Sequence, residues 1–181
     1  MKIEPRTFDL PNGEVLTVRS IGAEDAEALS AFRYATYRET HFMARYPEEG
    51  ANLEAVQKGL AGSEASALNF EVGAFAGEKL VGEFGVAQVR PHIKYRHRAV
   101  MGISVLKDYW GGGLGSFLMQ LAVDQAKANG FEQLELGVYS DNTRAIHLYE
   151  KFGFERCGTM PHAFKLKDGT YRDEIMMVKM L

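Results

Sequence analysis

The sequence predicts an α+β fold, with a mixed, mostly antiparallel sheet of about seven strands flanked by helices. Two patterns predict it. Short apolar runs of strand length are separated by turn residues, and longer segments repeat their apolar residues every three or four positions. The 181 residues contain no internal repeat and no long linker. We therefore expect one domain, residues 1–181, built around a single core.

Runs rich in β-branched and aromatic residues mark the strands, and three- to four-residue apolar spacing marks the helices. The predicted strands are residues 15–21, 70–75, 80–89, 99–106, 134–138, 155–160 and 171–180. The predicted helices are residues 23–44, 53–60, 116–129 and 143–152.

Turn and cap residues delimit the elements of the first half. The turn signal Pro11-Asn12-Gly13 precedes the first strand, and Gly62 is placed to end the second helix. Leu29, Phe32 and Ala35 are spaced along one face of the first helix, so that face is expected to pack on the core. A tight turn at residues 76–79 joins the second and third strands as an antiparallel hairpin.

The second half follows the same logic. Residues 99–106 are largely apolar, as is typical of a central strand. Leu118, Leu121 and Ala122 line one face of the next helix, and Gly130 is placed to cap its end. Asp168-Gly169 marks the turn into the last strand.

Composition excludes several classes of protein. Apolar residues make up 46% and charged residues 25% of the chain, with a net charge of −3, so neither disorder nor a nucleic-acid-binding surface is favoured. Cys157 is alone, which rules out an intrachain disulfide. No apolar run reaches the length of a signal peptide or a membrane span, and the five histidines lack metal-ligand spacing. We expect a cytoplasmic protein without a metal.

A glycine-rich turn separates a strand from a helix at residues 111–115. Without side chains there, backbone N–H groups point freely at a ligand, and the helix adds the positive end of its dipole, about half a charge. A diphosphate suits such a turn. Ser116 and Phe117 stand where a nucleotide P-loop needs Lys and Ser or Thr, and a dinucleotide fingerprint needs Gly or Ala at Ser116. Both signatures are therefore excluded.

Two segments carry a family resemblance. Residues 105–115, Val-Leu-Lys-Asp-Tyr-Trp-Gly-Gly-Gly-Leu-Gly, resemble motif A of the GNAT N-acetyltransferase superfamily. Residues 142–154, Asn-Thr-Arg-Ala-Ile-His-Leu-Tyr-Glu-Lys-Phe-Gly-Phe, resemble its motif B. The predicted elements match the family's topology over nearly the whole chain. Residues 168–177 resemble the branch that includes ribosomal-protein alanine, spermidine and amino-acid acetyltransferases.

The resemblance implies a GNAT-like fold and an acetyl-CoA-dependent N-acetyltransferase. Acetyl-CoA is then the co-substrate, and the partner is a primary amine: a small molecule, an amino acid or a protein N-terminus. The pantetheine arm would bind the backbone of Ile103, Ser104 and Val105 as an added strand. The diphosphate would bind the turn, at Gly111, Gly112, Gly113, Leu114, Gly115 and Ser116. The family usually has Arg or Gln where this chain has Trp110, so binding there depends on the backbone.

Asn142 and Tyr149 lie seven positions apart, which returns a helix to nearly the same face. The resemblance implies that both contact the cofactor arm and that the Tyr149 hydroxyl lies near the thioester sulfur, as the proton donor to the leaving thiolate. Two simpler interpretations stay open. Asn142 is also a good helix cap, and Tyr149 also suits a core position beside Phe154.

The proton acceptor is harder to predict. Some family members carry a glutamate on the strand before the glycine turn or on the strand after motif A's helix. Here residues 99–106 lack a carboxylate, and Gly137 stands where one branch has the glutamate on the second of these strands. Strand alternation places Glu83 on a small apolar face with Val81, where burial would raise its pKa, so Glu83 is the predicted base. An exposed glutamate is the alternative. Further carboxylates that suit an ammonium group are Glu71, Asp173 and Glu174.

Other functions remain open at this point. The basic loop at residues 90–98 suits an acceptor carboxylate or nucleic acid, although a solvated hairpin tip is the commoner explanation. A catalytically inactive acyl-CoA sensor is consistent with the missing carboxylates. Exposed strand edges also leave a homodimer open.

Overall fold

The computed structural model describes residues 2–50 and 52–181, which contain eight strands and four α-helices. The strands are β1 (Arg6–Asp9), β2 (Val15–Ser20), β3 (Phe70–Ala76), β4 (Lys79–Gln88), β5 (Arg98–Val105), β6 (Gln133–Tyr139), β7 (Glu155–Lys165) and β8 (Tyr171–Met180). The helices are α1 (Ala26–Glu39), α2 (Leu53–Ala65), α3 (Leu114–Ala128) and α4 (Thr143–Lys151). The predicted α+β class is confirmed, with eight strands instead of about seven.

The described chain forms two compact units. The first runs to Ala87 and includes Gly102–Ala122, and the second comprises Gln88–Met101 and Val123–Leu181. Strand β5 and helix α3 each contribute residues to both units.

The first unit is an antiparallel arrangement of β1, β2, β3 and β4, each paired with the next in the chain. Helix α1 buries Leu29 and Phe32 along one face, as their spacing predicts, while Thr36 is buried there and the predicted Ala35 is only half-buried. Leu16, Val18, Phe70, Val72 and Phe84 supply the buried strand side chains of this core.

In the second unit, β5 pairs in parallel with β6, β6 pairs antiparallel with β8, and β8 pairs antiparallel with β7. The sheet is therefore mixed and mostly antiparallel, as predicted. Alternate residues of β6 point to one face, where Leu134, Leu136 and Val138 are buried with Ile175 and Met177 of β8.

The elements differ from the sequence-based expectation mainly in four places. Helix α1 ends at Glu39, not at residue 44, because Thr40 has an extended backbone with φ −155°. Helix α2 continues past Gly62 to Ala65, so that glycine does not end it. Strand β1 was not predicted, and β7 extends to Lys165, five residues beyond the predicted end. In both strands, pairing with a neighbour outweighs a weak local pattern.

None of the helices in residues 2–50 and 52–181 is long and apolar enough to cross a membrane.

Candidate active site

The glycine turn lies between the end of β5 and the start of α3, in the first unit. Gly111 and Gly113 have φ values of +82° and +88°, a region that side-chain-bearing residues rarely adopt. Helix α3 then begins at Leu114, and the Phe117 N–H donates to the Gly113 carbonyl at 3.0 Å. The sequence thus builds the turn from backbone alone, with the first N–H groups of α3 beside it.

The β1–β2 hairpin packs against this turn. A Cβ at Gly112 would lie 3.0 Å from Leu10 Cδ2 and 3.3 Å from Pro11 Cδ, so a side chain there would crowd the hairpin. The rings of Phe8 and Phe117 are 4.9 Å apart between centroids and hold the hairpin to the start of α3. A groove of about 660 Å³ opens here, lined in part by Leu10, Pro11, Lys79, Tyr109, Trp110 and Gly112.

Trp110 has a contact that the sequence did not predict. Its indole Nε1–H donates to the Val105 carbonyl at 2.7 Å. The hydrogen bond ties the turn to the last residue of β5, and Lys107 Nζ lies 5.9 Å from the ring centroid. The family that the sequence resembles usually has Arg or Gln at this position. This chain instead has Trp110, which fixes the shape of the turn.

Residues Ile103, Ser104 and Val105 form the end of β5. The parallel register with β6 runs from Arg98–Gln133 to Val100–Glu135, so these three residues lie beyond it. The Leu106 N–H donates to the Val81 carbonyl of β4 at 3.0 Å. Since successive residues of a strand alternate the direction of their N–H and C=O groups, those of Val105 point away from β4.

Glu83 lies on β4 and is buried, with 9% of its surface exposed. Arg33 of α1 donates to both of its oxygens, Nε to Oε1 at 3.2 Å and Nη2 to Oε2 at 3.3 Å, and the Ser104 hydroxyl lies 3.5 Å from Oε1. Burial raises the pKa of Glu83, while Arg33 opposes the rise. The predicted burial is observed, and the alternative of an exposed glutamate is wrong.

Arg33 gives this carboxylate a partner that the sequence did not indicate. Its guanidinium also lies 3.6 Å from Glu71 of β3, so one cation is shared by two carboxylates. Arg33 lies on α1, the helix that carries the apolar stripe. It precedes Glu83 by 50 residues, so no local sequence pattern links the two side chains.

Asn142 caps helix α4 in the second unit. Its Oδ1 accepts from the Ala145 N–H at 3.2 Å, the usual geometry of an Asn cap. The interpretation of Asn142 as a helix cap is therefore correct. The cap uses the amide oxygen of Asn142 and does not use its Nδ2 donors.

Tyr149 is buried on the same helix, with 7% of its surface exposed, and its ring lies 5.9 Å from that of Phe154. Burial raises the pKa of the Tyr149 phenol to about 12. At neutral pH the hydroxyl is therefore protonated, so it can donate a hydrogen bond in a reaction but cannot act as a base in the phenolate form.

The basic loop is held by an aromatic ring. Arg90 and Arg98 lie 5.5 and 5.4 Å from the centroid of Tyr95, and Arg98 also binds Glu135 with Nη2–Oε2 at 2.8 Å. Part of its positive charge is thus stacked or paired, which favours a structural role for the loop. No cluster of three or more His, Cys, Asp or Glu that could hold a metal ion occurs in the described part of the chain.

The structure thus brings Glu83 and Ser104 together in the first unit, beside the unpredicted Arg33. Asn142 and Tyr149 share α4 in the second unit.

Comparison with known proteins gives a consistent result. The family model described as the acetyltransferase (GNAT) family matches residues 29–154. A mycothiol acetyltransferase of Streptomyces griseus is 29% identical over 145 residues, which is 80% of this chain and 44% of that protein. The chain therefore spans less than half the length of this relative.

Solved structures agree over a larger share of each chain. An acetyltransferase of the GNAT family from Streptococcus pneumoniae superimposes with a TM-score of 0.86 at 29% identity, covering 92% of this chain and 99% of the other. A ribosomal-protein-alanine N-acetyltransferase from Brucella melitensis gives 0.80 at 25% identity, covering 91% and 99%.

Proposed function

Because the chain belongs to the acetyltransferase (GNAT) family, we propose that it transfers an acetyl group from acetyl-CoA to a primary amine by direct attack. Enzymes of this family use acetyl-CoA as co-substrate. The observation that carries the proposal is the glycine turn, with positive φ at Gly111 and Gly113 immediately before α3. Such a turn presents backbone N–H groups to a diphosphate without any basic side chain.

Binding is divided between the turn and the strand end. The amides at Gly111, Gly112, Gly113, Leu114, Gly115 and Ser116 hold the diphosphate in this proposal. The outward N–H and C=O groups at Ile103 and Val105 pair with the pantetheine amides, as a ligand strand added to β5. One lone pair of the Val105 carbonyl is used by Trp110, which leaves the other for the ligand.

In the reaction, the amine nitrogen attacks the thioester carbonyl carbon, the C–S bond breaks, and the CoA sulfur leaves as a thiolate. Tyr149 is the proposed donor to that sulfur. Its pKa of about 12 exceeds that of a thiol, near 8.5, so complete proton transfer is uphill. Tyr149 therefore contributes mainly a hydrogen bond to the developing thiolate, and the proton balance is completed from solvent.

The attacking ammonium must first lose a proton. Glu83 is the proposed acceptor, because burial raises its pKa toward the range of a working base. Arg33 opposes that rise by favouring the ionised carboxylate, and it fixes the direction of the carboxylate. On this proposal, kcat/KM rises with pH as Glu83 ionises, and the Glu83→Gln variant loses that rise.

The test is thiol release from acetyl-CoA against a panel of amines, with cofactor binding followed in parallel through the emission of Trp110, the single tryptophan. Thiol release that depends on an amine supports the enzyme. Acetyl-CoA binding without thiol release for any amine supports an inactive acyl-CoA sensor instead. In such a sensor the Arg33–Glu83 ion pair would have a structural role.

The reaction is proposed to take place in the cytoplasm, since the lone Cys157 is exposed as a free thiol.

We also propose a homodimer through β7, which pairs with β8 on one side, ends the strand order of the second unit and is exposed along nearly its whole length. Light scattering should then give twice the 20.2 kDa of one chain. A mass of one chain at micromolar concentration would contradict it.

A further inference from the structure

Strand β8 carries a carboxylate that lies directly over a glycine of the neighbouring strand. In the β6–β8 register, Glu174 is opposite Tyr139 and Met176 is opposite Gly137, so Glu174 and Gly137 are diagonal neighbours on one face. A Cβ built at Gly137 would lie 2.1 Å from Glu174 Oε1 and 2.8 Å from its Cδ. The Glu174 carboxylate therefore occupies the space that a side chain at position 137 would need.

Three carboxylates were predicted to suit an ammonium group, and they differ in the partners that they already have. Glu71 lies 3.6 Å from Arg33 and 3.5 Å from the Ser63 hydroxyl. Asp173 accepts the His162 N–H at 2.8 Å. Glu174 is half-buried, and its carboxylate has neither a hydrogen bond nor an ion pair with residues 2–50 or 52–181. A carboxylate partly withdrawn from water gains most from a cation that binds it.

The side chains around Glu174 suit the carbon skeleton of such a cation. Tyr139 lies opposite on β6 and is buried beneath the half-buried Phe164 ring, 3.7 Å away, while Met160 lies opposite on β7 and is 58% exposed. Together these residues place aromatic and thioether surface beside the carboxylate.

Nearby positive charges are already bound. Arg98 is paired with Glu135, and Arg172 Nε lies 2.8 Å from Asp141 Oδ2. The negative charge of Glu174 is thus uncompensated by either guanidinium.

We propose that Glu174 binds the positively charged amine of the acceptor and selects amines that carry no carboxylate beside the amino group. The inference rests on the proposed acetyl transfer and adds the class of acceptor. An α-carboxylate beside the ammonium would be repelled by Glu174, whereas an alkyl or aryl chain packs on Phe164 and Met160.

Matched acceptors test the selection. Tyramine and tyrosine differ by one carboxylate, as do 2-phenylethylamine and phenylalanine. The wild-type protein should show kcat/KM at least about tenfold higher for each amine than for its amino acid, since a charge-assisted contact is gained in one and a repulsion in the other. Glu174→Gln should lose this preference through a higher KM for the amines. Glu155→Gln, which changes an exposed carboxylate of β7, should keep it.

A second variant separates binding from a structural role. Gly137→Ala must displace the Glu174 carboxylate, because no Cβ fits at 2.1 Å, and the position has no positive φ to strain. It should also raise the KM for the amines. In the Glu174→Ala background the same substitution should add nothing, whereas additive effects would show that Gly137 acts independently of Glu174.

The outcomes distinguish the two proposals. If wild-type protein binds acetyl-CoA but no amine releases thiol, the proposed acetyl transfer is wrong and the acceptor assignment falls with it. If amines are acetylated and Glu174→Gln, still folded by thermal unfolding, keeps the wild-type ratio of amine to amino acid, the inference about Glu174 alone is overturned.

Discussion

At the scale of single residues, Tyr149 and Glu83 are the two side chains proposed to act on protons in the reaction. Both are buried, and burial raises the pKa of each because it disfavours the charged form. For Tyr149 this maintains a proton donor at neutral pH. For Glu83 it favours the neutral acid, against the pull of Arg33.

Tyr149→Phe should lower kcat by about 10²- to 10³-fold, the usual loss when one hydrogen-bond donor to a developing negative charge is removed. Binding of acetyl-CoA should persist, and stability should change little because the ring remains packed beside Phe154. Steady-state kinetics with the best amine and Trp110 emission measure the two effects. Wild-type turnover in this variant would show that Tyr149 is only a core residue.

The Glu83 carboxyl should also set a pH dependence of stability. Its native-state pKa is raised above the ordinary value of 4.5, so the native state binds more protons between these two values. The free energy of unfolding should therefore fall as pH rises from 4.5 through the raised pKa. Urea denaturation at a series of pH values should show that Glu83→Gln lacks this fall.

The matched control is Glu78→Gln, in the exposed turn between β3 and β4. Its stability should follow the wild-type pH dependence. Parallel curves for wild type and Glu83→Gln would mean that Glu83 titrates alike in the folded and unfolded chain.

At the scale of elements, two positions of the glycine turn are constrained in different ways. Gly111 has a positive φ, and Gly112 has little space beside the hairpin. Gly111→Ala meets no atom within 4 Å but keeps φ at +82°, so it should destabilise the protein by about 1 kcal/mol and weaken acetyl-CoA binding. Gly158→Ala, on β7 with open space and no positive φ, is the control and should stay within about 0.5 kcal/mol of wild type. Equal cofactor affinity in both variants would remove the turn from the binding site.

The start of α4 separates two roles of Asn142. Asn142→Ala removes the oxygen that accepts from Ala145 and should cost about 1 kcal/mol of unfolding free energy. Asn142→Asp retains an accepting oxygen and so should keep most of that stability, but it lacks the amide donors. If Asn142 binds the cofactor arm, the Asp variant should still raise the KM for acetyl-CoA. An unchanged KM would leave Asn142 as a cap alone.

Most elements were predictable because their signals are local. The apolar run of β5, the cap at Asn142 and the glycines of the turn identify their own structure. Strand β1, Arg6–Asp9, has four residues of mixed polarity and becomes a strand only through its pairing with β2. Strand β7 continues through Pro161 and His162 because β8 lies beside it, with register shifts that no local pattern shows.

The same limit applies to the site. Motif spacing indicated the turn and α4, but Arg33 reaches Glu83 across 50 residues, and Glu174 lies over Gly137 only because β6 and β8 pair in one register. Contacts of this kind depend on tertiary packing. The bond between the Trp110 indole and Val105 spans only five residues, but Trp110 is exposed and water satisfies an exposed indole N–H, so the sequence does not select this acceptor.

At the scale of the whole molecule, the prediction of one domain gives a direct test. Thermal unfolding should produce a single transition, with Trp110 emission, which reports the first unit, coincident with far-ultraviolet circular dichroism of the whole chain. Saturation at about 100 times Kd with acetyl-CoA should stabilise the native state by about 2.7 kcal/mol and move both signals together. Two separate midpoints would show that the units unfold independently and that the single-domain prediction is wrong.

Cys157 has a practical consequence for every experiment that follows the released thiol. Its Sγ is exposed on β7, 3.4 Å from the Met176 carbonyl, and it is the only cysteine in the chain. A disulfide reagent used to count CoA will therefore also titrate one equivalent of protein, and at high protein concentration that signal imitates a single-turnover burst. A Cys157→Ser background gives a silent baseline, against which even slow acetyl transfer can be quantified.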